Sequence, residues 1–200
     1  MADSPVKLCN AALLKLGAER INTLTEANKR ARLCNERYND LRKEVLRDHP
    51  WNFALKRAAL AQLVSTPLFE FAHEYQLPTD CLRVIKIDES VSGGTSFTSP
   101  ANFGNTRFKV EGRKLLTNDG EVNIQYIYDA TDTTLFDAHF DDALATRMAA
   151  EFAYNLLQSK TVAADMFALY ETAIKRARTR DGQEGSPDDL AADFFLNSKF

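Results

Sequence analysis

Apolar residues recur at helical spacing in four parts of the chain. The clearest part starts at Thr25, where a stripe of small and apolar residues stops just before His49-Pro50. Proline cannot donate a backbone hydrogen bond and disfavours helical geometry at the preceding residue, so the pattern predicts a helix that ends at His49. Trp51, the one tryptophan of the chain, follows at once, and we expect it and Phe53 to anchor a core. The stripe consists of Ala27, Ala31, Cys34, Tyr38, Leu41 and Val45.

Three further helices are predicted from caps and spacing. Ser4-Pro5 offers an N-cap hydroxyl and a proline at the first helical position, and Gly17 supplies the left-handed residue that ends this helix. Another helix begins after Asp137, and the last one opens near residue 161 and ends near residue 180. The inward positions of the last helix are Met166, Leu169, Tyr170, Ala173, Ile174 and Ala177.

Strand patterns replace helical ones in the middle of the chain. Residues 51–63 fit both periods, and we favour an extended segment there. Residues 90–105 are rich in Ser, Gly, Thr and Pro, which is typical of a flexible loop. The predicted strands cover residues 69–75, 81–87, 108–116 with a hairpin turn at Gly112, and 122–128.

These elements predict an α+β chain that is mainly α. Residues 1–64 and 136–180 form a helical bundle, and residues 65–135 form a small inserted antiparallel β module. Residues 181–200 form an extended C-terminal arm, acidic and rich in glycine and proline at first and apolar afterwards. Its anchors need a partner, either the body of this chain or a groove on another chain. They are Leu190, Phe194, Phe195, Leu196 and Phe200.

The composition argues against several classes of protein but does not identify a function. The 200 residues carry a formal net charge of −3, so there is no basic excess of the kind that grips DNA tightly. Cys9, Cys34 and Cys81 lack CxxC spacing, and two of them fall on the apolar faces of predicted helices. We interpret all three as buried free thiols in a reducing compartment. No apolar run approaches the roughly 20 residues that span a bilayer, and we find no secretion signal at the N-terminus. We therefore expect a cytoplasmic protein that does not associate with a membrane.

Catalytic motifs are sparse. The sequence has no glycine-rich phosphate loop, no GxSxG and no HExxH. Asp137, His139, Asp141 and Asp142 offer metal-ligand chemistry, but acidic residues at a helix start are also favoured by capping and by the helix dipole. We therefore expect no catalytic residue, no metal and no cofactor. A metal-dependent hydrolase using Asp137, His139 and Asp141 is the alternative, and a bundle that binds a cellular regulator through its aromatic tail is a third possibility.

Five ordered segments carry a resemblance over most of residues 5–180. They are Leu14-Lys15-Leu16-Gly17, Ile21-Asn22-Thr23-Leu24, His49-Pro50-Trp51-Asn52-Phe53-Ala54, Tyr75-Gln76-Leu77-Pro78-Thr79-Asp80-Cys81-Leu82-Arg83-Val84, and the helix of residues 145–157. Together they resemble the tubular tail protein A family of tailed bacteriophages, also called head-to-tail adaptors or connectors. The Trp-Asn-Phe-Ala and Tyr-x-Leu-Pro-x-Asp-Cys-Leu-Arg pieces are the most specific.

The resemblance implies a structural virion protein without a cofactor. Such adaptors form a ring, typically a dodecamer, in the neck between the portal protein and the tail nozzle or tail tube. Double-stranded DNA passes through the ring, and the net negative charge of this chain suits passage without tight binding. The protein would be assembled in the host cytoplasm and reside in the virion.

The same resemblance suggests where partners bind. Charges of both signs, Arg42 among them, line the exposed side of the long helix, and in a closed ring they become subunit contacts. We predict that Arg30, Arg37, Glu44, Lys56 and Arg57 form this subunit interface. We infer from the residues of the arm that Leu190, Phe194, Phe195 and Phe200 bind grooves of the portal.

Overall fold

The computed structural model describes residues 4–87 and 108–184, with side chains up to residue 180. These residues divide into a helical unit of residues 4–54 and 129–184 and a sheet unit of residues 55–87 and 108–128. Half of the fold is helical and two small antiparallel sheets complete it, which confirms the α+β, mainly α class. The boundaries differ from the predicted 64/65 and 135/136, because residues 55–59 pair with the last strand and residues 130 and 136 are buried in the helical unit.

Four helices form the helical unit. They are α1 (Pro5–Lys15), α2 (Lys29–Asp48), α3 (Ala138–Leu157) and α4 (Lys160–Glu184). Both α1 and α2 pack against α3, and α4 follows α3 as a helical hairpin. Small residues allow this close approach. The buried alanines of α3 are Ala143, Ala145, Ala149, Ala150 and Ala153.

The caps of α1 confirm the local prediction. The Ser4 hydroxyl accepts a hydrogen bond from the backbone N–H of Lys7 at 3.3 Å, and Pro5 is the first helical residue. At the other end Gly17 has φ +67°, and its N–H donates to the carbonyl of Leu14 at 3.0 Å. A left-handed glycine with these bonds satisfies the last carbonyls of a helix.

The start of α2 differs from the prediction. Asn28, not Thr25, is the N-cap, because its side-chain oxygen accepts the backbone N–H of Ala31 at 2.7 Å. Glu26 accepts the backbone N–H groups of Asn22 and Thr23 and so holds the preceding residues in a turn. The predicted stripe is buried from Ala31 to Val45, but the prediction for Ala27 was wrong, because this residue precedes the helix and is exposed. The helix ends before His49-Pro50 as predicted.

The inward face of α4 is only partly as predicted. Tyr170, Ile174 and Ala177 are buried, which confirms those three positions. The prediction for Leu169 was wrong, since its side chain is 54% exposed. The helical spacing would allow Leu169 to lie on the inner side of α4. The buried side of α4 is narrower than that spacing suggests, and Leu169 lies outside it.

Six strands form two three-stranded antiparallel sheets. The first has the order β1-β6-β3 and the second the order β2-β5-β4. A cluster of buried residues that includes Tyr75, Leu115 and Tyr126 draws on both sheets. The strands are β1 (Leu55–Ala59), β2 (His73–Gln76), β3 (Cys81–Ile87), β4 (Lys109–Glu111), β5 (Lys114–Thr117) and β6 (Asn123–Tyr128).

Two strand predictions need adjustment. Residues 52–54 form one 3₁₀ turn before the extended β1, so the extended prediction holds for residues 55–59. The strand predicted at residue 69 starts only at His73, because a loop turns sharply at Glu70. The hairpin at Gly112 is confirmed, with φ +60° at the turn between β4 and β5.

Candidate functional site

The His49-Pro50-Trp51-Asn52-Phe53 segment builds an aromatic cluster in the helical unit. Trp51 is fully buried, and its indole N–H donates to the carbonyl of Val45 at 3.0 Å. Its ring contacts Phe140 edge to face, with the centroids 5.0 Å apart. Phe53 packs on Phe140 and on Phe136. The prediction that Trp51 anchors a core is confirmed, and the segment joins the end of α2 to the start of α3.

A buried arginine lies on the inner side of α2. Arg42 is only 2% exposed, and its guanidinium contacts the carboxylate of Asp129 at 2.8 Å. It also donates to the carbonyl of Ala130. Asp129 is the first residue of the helical unit after the sheet unit, so this pair fixes the point where the chain returns to the helices. Sequence reasoning treated Arg42 as part of the exposed charged side and missed this role.

The quoted segment from Tyr75 to Val84 builds a polar contact in the sheet unit through Asp80. Asp80 accepts hydrogen bonds from Lys56 at 2.9 Å and from the Tyr126 hydroxyl at 3.1 Å. The Lys56 ammonium also lies 3.8 Å from the centre of the Tyr128 ring. Burial opposes ionisation of Asp80, but the hydrogen bonds and the charge of Lys56 outweigh it and lower its pKa. Burial and the hydrogen bond to Asp80 raise the pKa of Tyr126 to about 12.

The raised pKa of Tyr126 predicts a loss of stability at alkaline pH. A free tyrosine ionises near pH 10, so the stability that neutral Tyr126 contributes is fully present below about pH 10. It is lost as the pH rises towards about 12, where the folded phenol ionises. We expect Asp80→Asn to lower the pKa of Tyr126 in the folded protein.

Ultraviolet absorbance of the phenolate measures this titration. Tyr126→Phe is the control, because the difference between its titration and that of the parent isolates this one tyrosine. An unchanged Tyr126 titration in Asp80→Asn would refute the assigned cause.

Most of the predicted subunit-interface residues have partners within the chain. Arg30 pairs with Glu19 at 2.8 Å. Arg37 contacts Asp40 at 3.1 Å and Glu151 at 3.3 Å. Glu44 accepts two hydrogen bonds from the guanidinium of Arg147, at 2.9 and 3.1 Å. These pairs tie α2 to the preceding loop and to α3. A role for these residues between subunits stays a prediction.

Lys56 and Arg57 lie in β1 rather than on a helix. Lys56 is engaged by Asp80, whereas Arg57 points to the other side of the sheet and is exposed. Within residues 4–87 and 108–180, Arg57 has no ion pair. Of the five predicted interface residues, it is the one without an ion pair in the described part of the chain.

The acidic residues near the start of α3 are placed as caps and surface partners. Asp137 is the N-cap and accepts the backbone N–H of His139 at 2.9 Å, and the His139 side chain is exposed. Asp142 pairs with Lys15 at 2.7 Å, and Asp141 lies half-buried in the first turn. In the described parts of the chain no three His, Cys, Asp or Glu side chains come together in a group that would hold a metal ion. The hydrolase alternative stays an untested prediction.

The cysteines are free, and Cys9 and Cys34 are buried as expected. The neighbouring Cys34 thiol of α2, together with burial, raises the pKa of Cys9 in α1. A raised pKa keeps a thiol protonated and therefore a poor nucleophile. Cys81 is half-buried in β3.

The residues that sequence reasoning missed are exposed apolar side chains. Val64 and Leu68 are fully exposed and Phe69 is 77% exposed, all in the loop between β1 and β2. Tyr154 and Leu157 at the end of α3 are about half exposed. A signal was present in the sequence, since Val64 and Leu68 flank Ser65-Thr66-Pro67, a turn-forming segment that fits neither a helix nor a strand.

Two predicted features fall outside the described residues. They are the loop of residues 90–105 and the arm from residue 185 onward, with Leu190, Phe194, Phe195 and Phe200. Residues 181–184 of the predicted arm are instead the last residues of α4, because the helix continues past residue 180. None of the helices in the described part of the chain combines the length and the apolar composition that crossing a bilayer requires.

Comparison with known proteins adds no relative to this picture. The chain matches no protein-family model and no curated protein sequence. The resemblance to the adaptor family is therefore carried by the five segments quoted above.

Proposed function

We propose that this chain is a structural head-to-tail adaptor of a tailed bacteriophage. Copies of it form a ring, a dodecamer by analogy with the family, between the portal protein and the tail nozzle or tail tube. The ring completes the neck of the virion and gives DNA a passage. The C-terminal arm reaches the portal through Leu190, Phe194, Phe195 and Phe200.

The observation that carries this proposal is the set of large apolar side chains held out on ordered backbone. Val64, Leu68 and Phe69 project from a loop that hydrogen bonds fix at both ends. Scattered exposed apolar residues are ordinary, but a cluster of three fully or largely exposed ones indicates a binding surface. A protein that works by contacting its neighbours needs such surfaces.

The two most specific family segments support the same proposal. Trp51 and Phe53 build the core at the joint of α2 and α3, and Asp80 holds Lys56 and Tyr126 together in the sheet unit. Both segments therefore have a structural purpose, which suits a protein whose task is to keep a shape. The net charge of −3 suits a channel that lets DNA slide.

Electron microscopy of particles made without this chain tests the proposal. We expect filled heads that lack tails or lose their DNA, and restoration of complete particles when the chain is supplied from a second gene copy. Supplying Lys43→Ala serves as a control for expression, since this side chain is about half exposed and belongs to none of the proposed contacts. Particles that carry tails and retain DNA without the chain would refute the proposal.

A further inference from the structure

The loop between β1 and β2 presents three apolar side chains to solvent. We call residues 64–69 the apolar loop. Val64 and Leu68 are fully exposed and Phe69 is 77% exposed. Exposing three large apolar residues within six positions costs solvation free energy, so a role outside the single chain is indicated.

The loop is ordered although its apolar side chains are exposed. Before the loop, the Leu63 N–H donates to the Glu74 carbonyl at 2.8 Å. Within it, the Ser65 hydroxyl donates to the Glu74 carboxylate at 2.6 Å. After it, the Ala72 N–H donates to the Asn118 side chain at 2.8 Å. The backbone that carries the projecting side chains is therefore already ordered before a partner binds, which lowers the entropic cost of binding.

A strained turn sets the direction of the last apolar residue. Glu70 has φ +71°, and the Phe71 N–H donates to the Phe69 carbonyl at 2.9 Å, which closes a three-residue turn. Such a left-handed turn at a non-glycine residue is rare and strained. It leaves Phe69 outside while Phe71 is buried. Strain that holds an aromatic ring in solvent is expected where the ring has a partner.

A second apolar surface lies in the helical unit. Tyr154 and Leu157 are one turn apart at the end of α3 and share one side of the helix, and both are about half exposed. Lys160 opens α4 three residues later and is exposed, and in the described part of the chain it has no ion pair. We call Tyr154, Leu157 and Lys160 the α3 end.

The two surfaces have opposite charges beside their apolar residues. Glu70 directly follows the last residue of the apolar loop, and Lys160 directly follows the turn after Leu157. An acidic residue directly after the loop disfavours insertion of the loop into an anionic membrane, because such membranes are bound by basic residues. A protein surface with an apolar patch and one cation fits the loop, and this chain carries such a surface itself.

We infer that the apolar loop docks on the α3 end of a second copy of this chain, with Glu70 facing Lys160. The two surfaces differ, so the contact is head to tail and each copy offers one free loop and one free α3 end. Repetition of the contact closes a ring when the rotation allows it. The inference deepens the proposed function, because it names the surfaces by which the ring would form.

The small apolar area of the loop limits the affinity of a single contact between two copies. Three such side chains remove on the order of 300 Å² of apolar surface from water, whereas a stable interface buries about 800 Å² on each partner. A single contact is therefore weak, and copies in dilute solution remain mostly apart. In a closed ring every copy makes two contacts at a high effective concentration, which stabilises the assembly.

Sedimentation equilibrium of the full chain over a concentration series tests the inference. We expect weak self-association of the parent and a loss of about tenfold or more in the association constant for Phe69→Asp. Glu70→Lys and Lys160→Glu should each weaken association about two- to fivefold, and the double variant should return it to about the parent value. All these positions are exposed, and equal thermal unfolding midpoints would establish that the variants fold.

Two results would overturn the inference. One is a parent that stays monomeric at the highest attainable concentration, and the other is an association that Phe69→Asp leaves unchanged or that the double charge reversal does not restore. These outcomes are separable from failure of the proposed function. Particles that need the chain for their tails while Phe69→Asp associates normally would remove the inference alone, and loop-dependent association of a chain absent from particles would remove the function alone.

Discussion

Replacing Arg42 by alanine is expected to lower the free energy of unfolding by about 3 kcal/mol. Arg42 is 2% exposed, and its removal leaves the Asp129 carboxylate without its nearest cation and the Ala130 carbonyl without its donor. Breaking one side of a buried ion pair is costly because the partner keeps its charge in a poorly solvated place. Asp129 retains some solvent contact, so we take the lower end of the usual range.

Lys43→Ala is the matched control for Arg42→Ala. Lys43 is the next residue of α2 and contacts the other oxygen of the same carboxylate at 3.4 Å, but its side chain is about half exposed. A solvated ion pair contributes little, so we expect a change of no more than about 0.5 kcal/mol. Chemical denaturation followed by circular dichroism measures both variants. Similar losses in the two variants would contradict the special role of the buried guanidinium.

Trp51→Ala is expected to lower the free energy of unfolding by about 3–5 kcal/mol. The indole is fully buried, packs edge to face on Phe140 and on His49, and donates to the Val45 carbonyl. Alanine would leave a cavity and an unmade hydrogen bond at the joint between α2 and α3. Phe69→Ala removes another aromatic ring, but one that is largely exposed, and should change stability by about 0.5 kcal/mol or less.

Thermal unfolding followed by circular dichroism compares these two variants. A loss near zero for Trp51→Ala would show that the aromatic cluster does not hold the joint. A large loss for Phe69→Ala would mean that the apolar loop is part of the fold, and it would weaken the case for a docking surface.

Local signals in the sequence predicted the ends of several elements correctly. Ser4, Pro5 and Gly17 each act on the backbone within one turn of themselves, so their effect can be deduced without knowing the fold. The same holds for Asp137 at the start of α3 and for Gly112 in the hairpin. The cap of α2 was misplaced because Thr25, Glu26 and Asn28 all suit a helix start, and only their hydrogen bonds decide among them.

Features that depend on distant partners were not predictable in this way. Arg42 looks like one more surface charge of α2 until its contact with Asp129, far along the chain, is known. Leu169 has the spacing of a core residue, yet no neighbour covers it fully. Residues 55–59 fit two periods, and their pairing with β6 decides that they belong to the sheet unit. Tertiary contacts override local preference at all three places.

The candidate interaction surfaces also depend on tertiary contacts that the sequence alone does not show. Charges of both signs on α2 predicted subunit contacts, but Arg30, Arg37 and Glu44 have partners within the chain. Apolar residues such as Leu68 and Phe69 are expected inside a fold, and their exposure becomes visible only with the loop in place. For this reason the apolar loop emerged from the structure and not from the sequence.

Imaging of the native particle at side-chain detail would decide whether this chain forms a ring at the neck. We expect a closed ring of identical copies of this chain between the portal and the tail, with DNA passing through its centre. Finding no such ring at the neck, or finding the chain as separate single copies inside the capsid, would contradict this expectation.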